Sequence, residues 1–144
     1  MEHRITVRWQ KNGEFSHNFF ERRHSIAFQP EVGLMAGGAG NDFGADPEQM
    51  LAAAMASCHM QTFLALAAKK RLQVESYNDE AEAILEQSED GRFWVAKLIL
   101  TPAVVFCGDK IPDATSILAM HDKAHEHCFI AKSVTSEVVI KPQL

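Results

Sequence analysis

Asp46-Pro47-Glu48-Gln49, running into Met50-Leu51-Ala52-Ala53-Ala54-Met55-Ala56-Ser57-Cys58-His59-Met60, marks the start of an unusually apolar helix. Asp46 has the side chain of an N-cap. Pro47 suits the first helical position, where a missing N–H costs nothing. Gln49 stands where it can close a capping box. The apolar run continues to Ala68 and ends on Lys69-Lys70-Arg71, whose charges complement the C-terminal end of the helix dipole. A helix from Pro47 to about Lys70 is therefore predicted. Small residues on every side let other elements approach closely, so the helix is expected to be central, with Cys58 in an apolar surround. The run is nearly long enough to span a bilayer, but Ser57, His59, Gln61 and Thr62 within it favour a buried core helix and no membrane span.

Working outward, Ile5-Thr6-Val7-Arg8-Trp9 alternates like a strand and is followed by the turn signal Lys11-Asn12-Gly13. Glu14 to Phe20 and Ser25 to Phe28 read as two further strands of a small antiparallel sheet. Met35 to Gly44 holds Gly37, Gly38, Gly40 and Gly44 and lacks the strand-then-helix frame of a phosphate-binding fingerprint. It reads as a flexible loop or lid. After the helix, Val74 to Leu85 reads as one long strand, Glu86 to Arg92 as a polar turn, and Phe93 to Val105 as the returning strand, bent near Pro102. Pro112-Asp113 opens a second helix through about Cys128, and Val134 to Ile140 closes the fold. The order βββ-α-ββ-α-β is an α+β fold in a single domain, residues 1–144, with no internal repeat.

A formal charge of −5 argues against nucleic-acid binding through a broad basic surface. Met1-Glu2-His3-Arg4 leads directly into a strand-like stretch, so no secretory signal is expected. Three cysteines without such a signal suggest a reducing cytoplasm and reactive thiols rather than a disulfide framework.

Cys58, alone in a helix, could be no more than a small buried hydrophobe. A reactive Cys58 requires a lowered thiol pKa, because the thiolate is the nucleophile and apolar burial alone raises the pKa. A cationic partner could come from Arg22, Arg23 or His24, although two arginines on the wet face of an edge strand need no such role. Glu48 could fix an arginine by a bidentate pair or simply complement the helix dipole. Glu48 and Cys58 differ in direction by roughly a quarter turn and lie about 15 Å apart along the axis, so one arginine would have to lie along the helix to reach both. His121, His125 and Cys128 have i, i+4, i+7 spacing and share a helix face. They offer a rival reading, a non-catalytic zinc or small apolar ligand-binding protein, against packed core histidines and a resolving thiol. Cys107, beside Gly108-Asp109, has no evident role.

The capping segment, Ala53-Ala54-Met55-Ala56-Ser57-Cys58-His59, and Ala124-His125-Glu126-His127-Cys128-Phe129-Ile130-Ala131-Lys132-Ser133-Val134 together resemble the OsmC/Ohr family of thiol peroxidases, most closely its OsmC-like branch. The resemblance spans nearly the whole chain, including Val74-Glu75-Ser76-Tyr77 after the first helix. It implies an intertwined homodimer, a peroxidatic Cys58, a resolving Cys128, and Glu48 holding a catalytic arginine. The family's aromatic–x–Arg–x–His pattern selects Arg22, with Arg23 left as the alternative. The implied activity is reduction of organic hydroperoxides without cofactor or metal, recycled by an external dithiol of lipoyl or small-molecule type. His127, directly before Cys128, departs from the pattern.

Overall fold

The computed structural model describes residues 1–144, which divide into two compact units, Met1–Met50 and Leu51–Leu144. The fold is the expected α+β type, with the first helix and the C-terminal half close to their predicted places.

The N-terminal unit is built on an antiparallel sheet of β1 (Thr6–Arg8), β2 (His24–Gln29) and β3 (Val32–Ala36), with β2 central. Three strands were expected, but their membership differs. Glu14–Phe20 is not a strand. Phe15 and Phe20 pair across a tight turn closed by Ser16 and Phe19, and the Trp9, Phe15 and Phe20 rings follow one another at centroid distances of 5.5 and 5.7 Å. The aromatic residues that suggested a strand instead stack around this turn. Val32–Ala36 takes the vacant place in the sheet. The glycine-rich segment beyond it is pinned rather than slack. Asn41 donates to the Gly38 carbonyl and accepts from the Phe43 and Gly44 amides, and Ala45 hydrogen-bonds back to Met35. Only glycine fits at position 44, where a Cβ would lie 1.9 Å from the Met35 oxygen.

Helix α1 (Pro47–Lys69) begins with the expected capping box: Gln49 N–H donates to Asp46 Oδ1 at 2.7 Å, and the Asp46 N–H to Gln49 Oε1 at 2.9 Å. It ends in a Schellman motif, with Leu72 N–H on the Ala67 carbonyl and Arg71 N–H on that of Ala68. Arg71 occupies the left-handed position at φ 61°, where glycine is usual.

Within the second unit, β4 (Gln73–Asp79) pairs antiparallel with β7 (Pro102–Cys107), and β5 (Glu82–Gln87) with β6 (Phe93–Leu100). The two long strands expected from the sequence are thus each broken in two. The breaks face each other: the Thr101 N–H donates to Asp79 Oδ1 at 2.7 Å and its hydroxyl to the Glu80 carbonyl at 2.8 Å. Helix α2 (Ala114–His127), capped by Asp113, supplies the crossover that lets β8 (Glu137–Ile140) run parallel to β6. Two apolar clusters fill this unit. One joins Ala52, Met55, Leu98, Leu100 and Cys128; the other joins Phe63, Ala67, Leu72, Met120 and Ala124. Helix α1 supplies both through one face, Ala52, Met55, His59, Phe63 and Ala67. Its other faces, including Ala54, Ser57, Gln61 and Ala65, stay exposed in the single chain, so the helix is less enclosed than its composition suggests.

Candidate active site

Cys58 and Cys128 meet. Cys58 lies half-buried beside the inward face of α1, and Cys128, with no exposed surface, caps the C-terminus of α2 inside the first apolar cluster. Beyond Cys128 the chain turns into a short 3-10 segment, Ala131–Ser133, held by Lys132 N–H on the Cys128 carbonyl and the Ser133 hydroxyl on the Phe129 carbonyl. This turn brings backbone N–H groups to the sulfurs.

Burial pushes the Cys58 thiol up, but hydrogen bonds from the Cys128 thiol, the Ile130 and Phe129 amides and the Thr62 hydroxyl outweigh it, and the pKa falls below the usual thiol value. Cys128 moves the other way. Its burial, its role as donor to Cys58 and the neighbouring Cys58 charge all hold its proton on, against weaker opposition from the Ala131 and Ile130 amides. The first proton therefore leaves Cys58, while Cys128 remains a thiol. A low-pKa, half-exposed thiol beside a protonated partner can attack an electrophile and then be captured as a disulfide.

The residue after Cys58 belongs to a histidine pair. His59 and His121 are 1% and 2% exposed, their rings stack with planes 5° apart, and His59 Nε2 lies 3.0 Å from His121 Nδ1. Phe63 stacks on His121 with centroids 4.2 Å apart, and His121 Nε2 is buried without a partner. Burial drives both imidazoles down to about 4, with the neighbouring His121 and His125 adding to the shift on His59. Both are neutral near pH 7.

The other two expected site residues belong to the N-terminal unit. Arg22 and Glu48 line one hollow there, together with Trp9, Phe20 and His24. No ion pair joins them; the Arg22 guanidinium lies 4.3 Å from the centroid of the Phe20 ring. Arg23 instead lies 4.0 Å over Phe43. Both arginines precede β2, so strand alternation does not govern where they point. His24 Nδ1 contacts the Arg22 carbonyl at 2.8 Å.

The zinc reading finds no site. His121, His125 and Cys128 share a helix face but do not converge, and no three His, Cys, Asp or Glu side chains anywhere in the chain are grouped to hold a metal ion. His121 is committed to His59 and Cys128 to Cys58. Cys107 ends β7 opposite Gln73 and remains a free thiol. Sequence reasoning sought a cation for Cys58 and missed the neutral donors. Thr62 was legible, since i+4 places it over Cys58 on α1. The Phe129 and Ile130 amides carry no side-chain signal.

Comparison with known proteins identifies the family. The family model for OsmC-like proteins matches residues 38–143, and the chain belongs to this OsmC/Ohr family. Among solved structures, an OsmC-like protein of unknown function from Vibrio cholerae is 37% identical, covers 99% of both chains and superposes with a TM-score of 0.91. The organic hydroperoxide resistance protein OhrB of Bacillus subtilis shares the fold at 19% identity, with a TM-score of 0.70 over 99% of this chain and 98% of its own. The uncharacterized protein YmaD of Bacillus subtilis is 28% identical over 99 residues, which span 68% of this chain and 65% of that protein.

Proposed function

We propose that the protein is a cysteine-based hydroperoxide reductase acting on organic peroxides, with Cys58 peroxidatic and Cys128 resolving. The observation that carries this reading is the contact between the two thiols, with Cys58 acidified and Cys128 held protonated toward it. Membership of a family that includes hydroperoxide resistance proteins supports it further.

The Cys58 thiolate attacks the distal peroxide oxygen. The O–O bond breaks, Cys58 becomes a sulfenic acid, and the alkoxide takes a proton and leaves as an alcohol. The Cys128 sulfur then displaces the sulfenic oxygen; the thiol proton departs with it as water, and a Cys58–Cys128 disulfide remains. An external dithiol returns two electrons and two protons, closing the cycle as a cyclic disulfide. The family resemblance assigns Arg22 to the oxygen that develops charge. Leu51, Ala56, Ile130 and Val134 pack, with Cys58, against the apolar cluster that holds Cys128, and this apolar setting favours an alkyl over a hydrogen-only peroxide. The working form is taken to be a cytoplasmic homodimer.

A steady-state assay with dihydrolipoamide as reductant tests the proposal. Cumene hydroperoxide should be turned over faster than hydrogen peroxide. Absence of turnover with either, by fully reduced protein, would refute it.

A further inference from the structure

The histidine pair has no part in the cycle above, and fold stability alone does not account for it. His59 and His121 are fully buried, one on α1 and one on α2. An imidazole that leaves water must recover its hydrogen bonds, and here the recovery is incomplete, because His121 Nε2 has no partner. Apolar side chains of similar size would fill the same space at less cost. What they cannot supply is direction. His59 Nε2 and His121 Nδ1 are 3.0 Å apart and the ring planes differ by 5°, so the N–H of one ring can meet the in-plane lone pair of the other. Phe63 lies over His121, with centroids 4.2 Å apart, and limits turning of that ring.

This is the only side-chain hydrogen bond that runs from α1 to α2. The rest of their contact is apolar, with Phe63 and Ala67 of α1 in one cluster with Met120 and Ala124 of α2. Apolar packing tolerates a small slide or rotation of one helix on the other, and an aligned hydrogen bond does not. The bond also sits where a slide would matter. His59 directly follows Cys58. His121 and Cys128 share a face of α2 at i, i+7 spacing, about two turns or 10 Å apart along the axis, and α2 ends at Cys128.

We propose that His59 and His121 are positioning residues for disulfide formation: their bond fixes how α2 lies on α1 and thereby holds Cys128 within reach of Cys58. The inference deepens the peroxidase reading and rests on it for the use made of the disulfide. Capture of a sulfenic acid competes with its over-oxidation, so the time Cys128 spends within reach decides the outcome. Clasped, the two thiols react as if at high concentration. Unclasped, α2 rests on apolar contacts alone and the same thiols meet less often.

The test uses the full chain carrying Cys107→Ser, so that Cys58 and Cys128 are the only thiols, equilibrated with mixtures of reduced and oxidised glutathione. Two protein thiols become the Cys58–Cys128 disulfide while one oxidised glutathione is reduced to two thiols, and the equilibrium constant is the effective concentration of Cys128 at Cys58. Intact mass after rapid alkylation gives the disulfide fraction. His59→Leu and His121→Leu each delete the bond from one side, so one variant that fails to fold leaves the other to be read. His59→Gln places an amide nitrogen where the imidazole Nε2 stood and keeps a donor for His121 Nδ1. Each leucine variant should lower the effective concentration about three- to tenfold, the worth of one hydrogen bond, and His59→Gln should stay within about twofold of the parent. A change that weakens the reduced and oxidised folds equally moves the melting temperature and not this constant. Leucine variants that melt lower but keep the parental constant therefore overturn the proposal, as does a glutamine variant as poor as leucine. Leucine variants that both fail to fold make the pair structural and overturn it too. A parent that forms no Cys58–Cys128 disulfide overturns it together with the resolving role. No peroxide is used, so a parent that forms the disulfide and reduces no peroxide refutes the proposed function and leaves this result standing.

Discussion

At Cys58 and Cys128 the two sulfurs differ in what surrounds them more than in what they are. Cys58 accepts hydrogen bonds and Cys128 donates one, so one thiol ionises first and the other stays armed with a proton. Cys58→Ser should abolish turnover, since a hydroxyl is un-ionised at neutral pH and attacks peroxide poorly. Cys128→Ser retains a donor toward Cys58, so it should consume about one equivalent of peroxide and then over-oxidise at Cys58, visible by intact mass. Multiple turnovers by the Cys58 variant would reverse the two roles. The histidine pair makes a separate prediction. The unfolded chain protonates His59 and His121 near 6.5, whereas the folded chain resists until about 4. Their contribution to stability is thus intact above pH 6.5 and declines as pH falls from there toward 4. The folding stability should drop across that window by on the order of a few kcal/mol, read as a falling melting temperature. His121→Asn, which keeps a hydrogen-bonding group beside His59, should flatten the slope; an unchanged pH profile would show that the pair is not what acid attacks. That Cys58 and Cys128 come together was legible in their surrounding motifs. The imidazole contact was not, because His59 and His121 lie on different helices and neither spacing announces a partner.

Among the elements, α1 was the most legible, because its two ends are written in local chemistry: the Asp46–Gln49 capping box at one and a basic cluster at the other. The basic cluster hides a strained position. Arg71 sits in left-handed conformation to complete the Schellman motif, and Arg71→Gly should relieve the clash of its Cβ with the backbone. Part of that gain is offset by the greater freedom of glycine in the unfolded chain, leaving about 0.5–1 kcal/mol of added stability by urea denaturation. A loss of stability would show that the arginine side chain holds this turn. The strands were harder to place. No glycine or proline interrupts Val74–Leu85, and only the distant Thr101, bonded to Asp79 and Glu80, makes that point a break. In the N-terminal unit, Glu14–Phe20 has the aromatic content of a strand, yet its rings are satisfied by one another. Local pattern has no way to weigh such a turn against a sheet partner twenty residues away.

For the whole molecule, the exposed apolar residues bear on assembly. Phe93 is 67% exposed and Phe129 80%, and Ala54, Ser57, Gln61 and Ala65 leave much of α1 uncovered. A second copy of the chain is the expected cover. Light scattering should give a dimer at micromolar concentration, and the urea midpoint should rise with protein concentration, as it must when folding and association are linked. A folded monomer with a concentration-independent midpoint would rule out an obligate dimer. The parallel pairing of β8 with β6 has a consequence for timing. β8 reaches its place only after α2 has crossed over, and it is then secured by Lys141 on Leu100 and Gln143 on Pro102. Cys128 lies between those two events in the chain, so a growing polypeptide exposes Cys58 well before its companion sulfur is docked. Oxidant meeting a nascent chain would find an unpaired thiol whose backbone amides and neighbouring S–H have not yet been delivered, and which is therefore less acidic. The groups outside α1 that lower the Cys58 pKa, Cys128, Phe129 and Ile130, thus all arrive late in the chain and together.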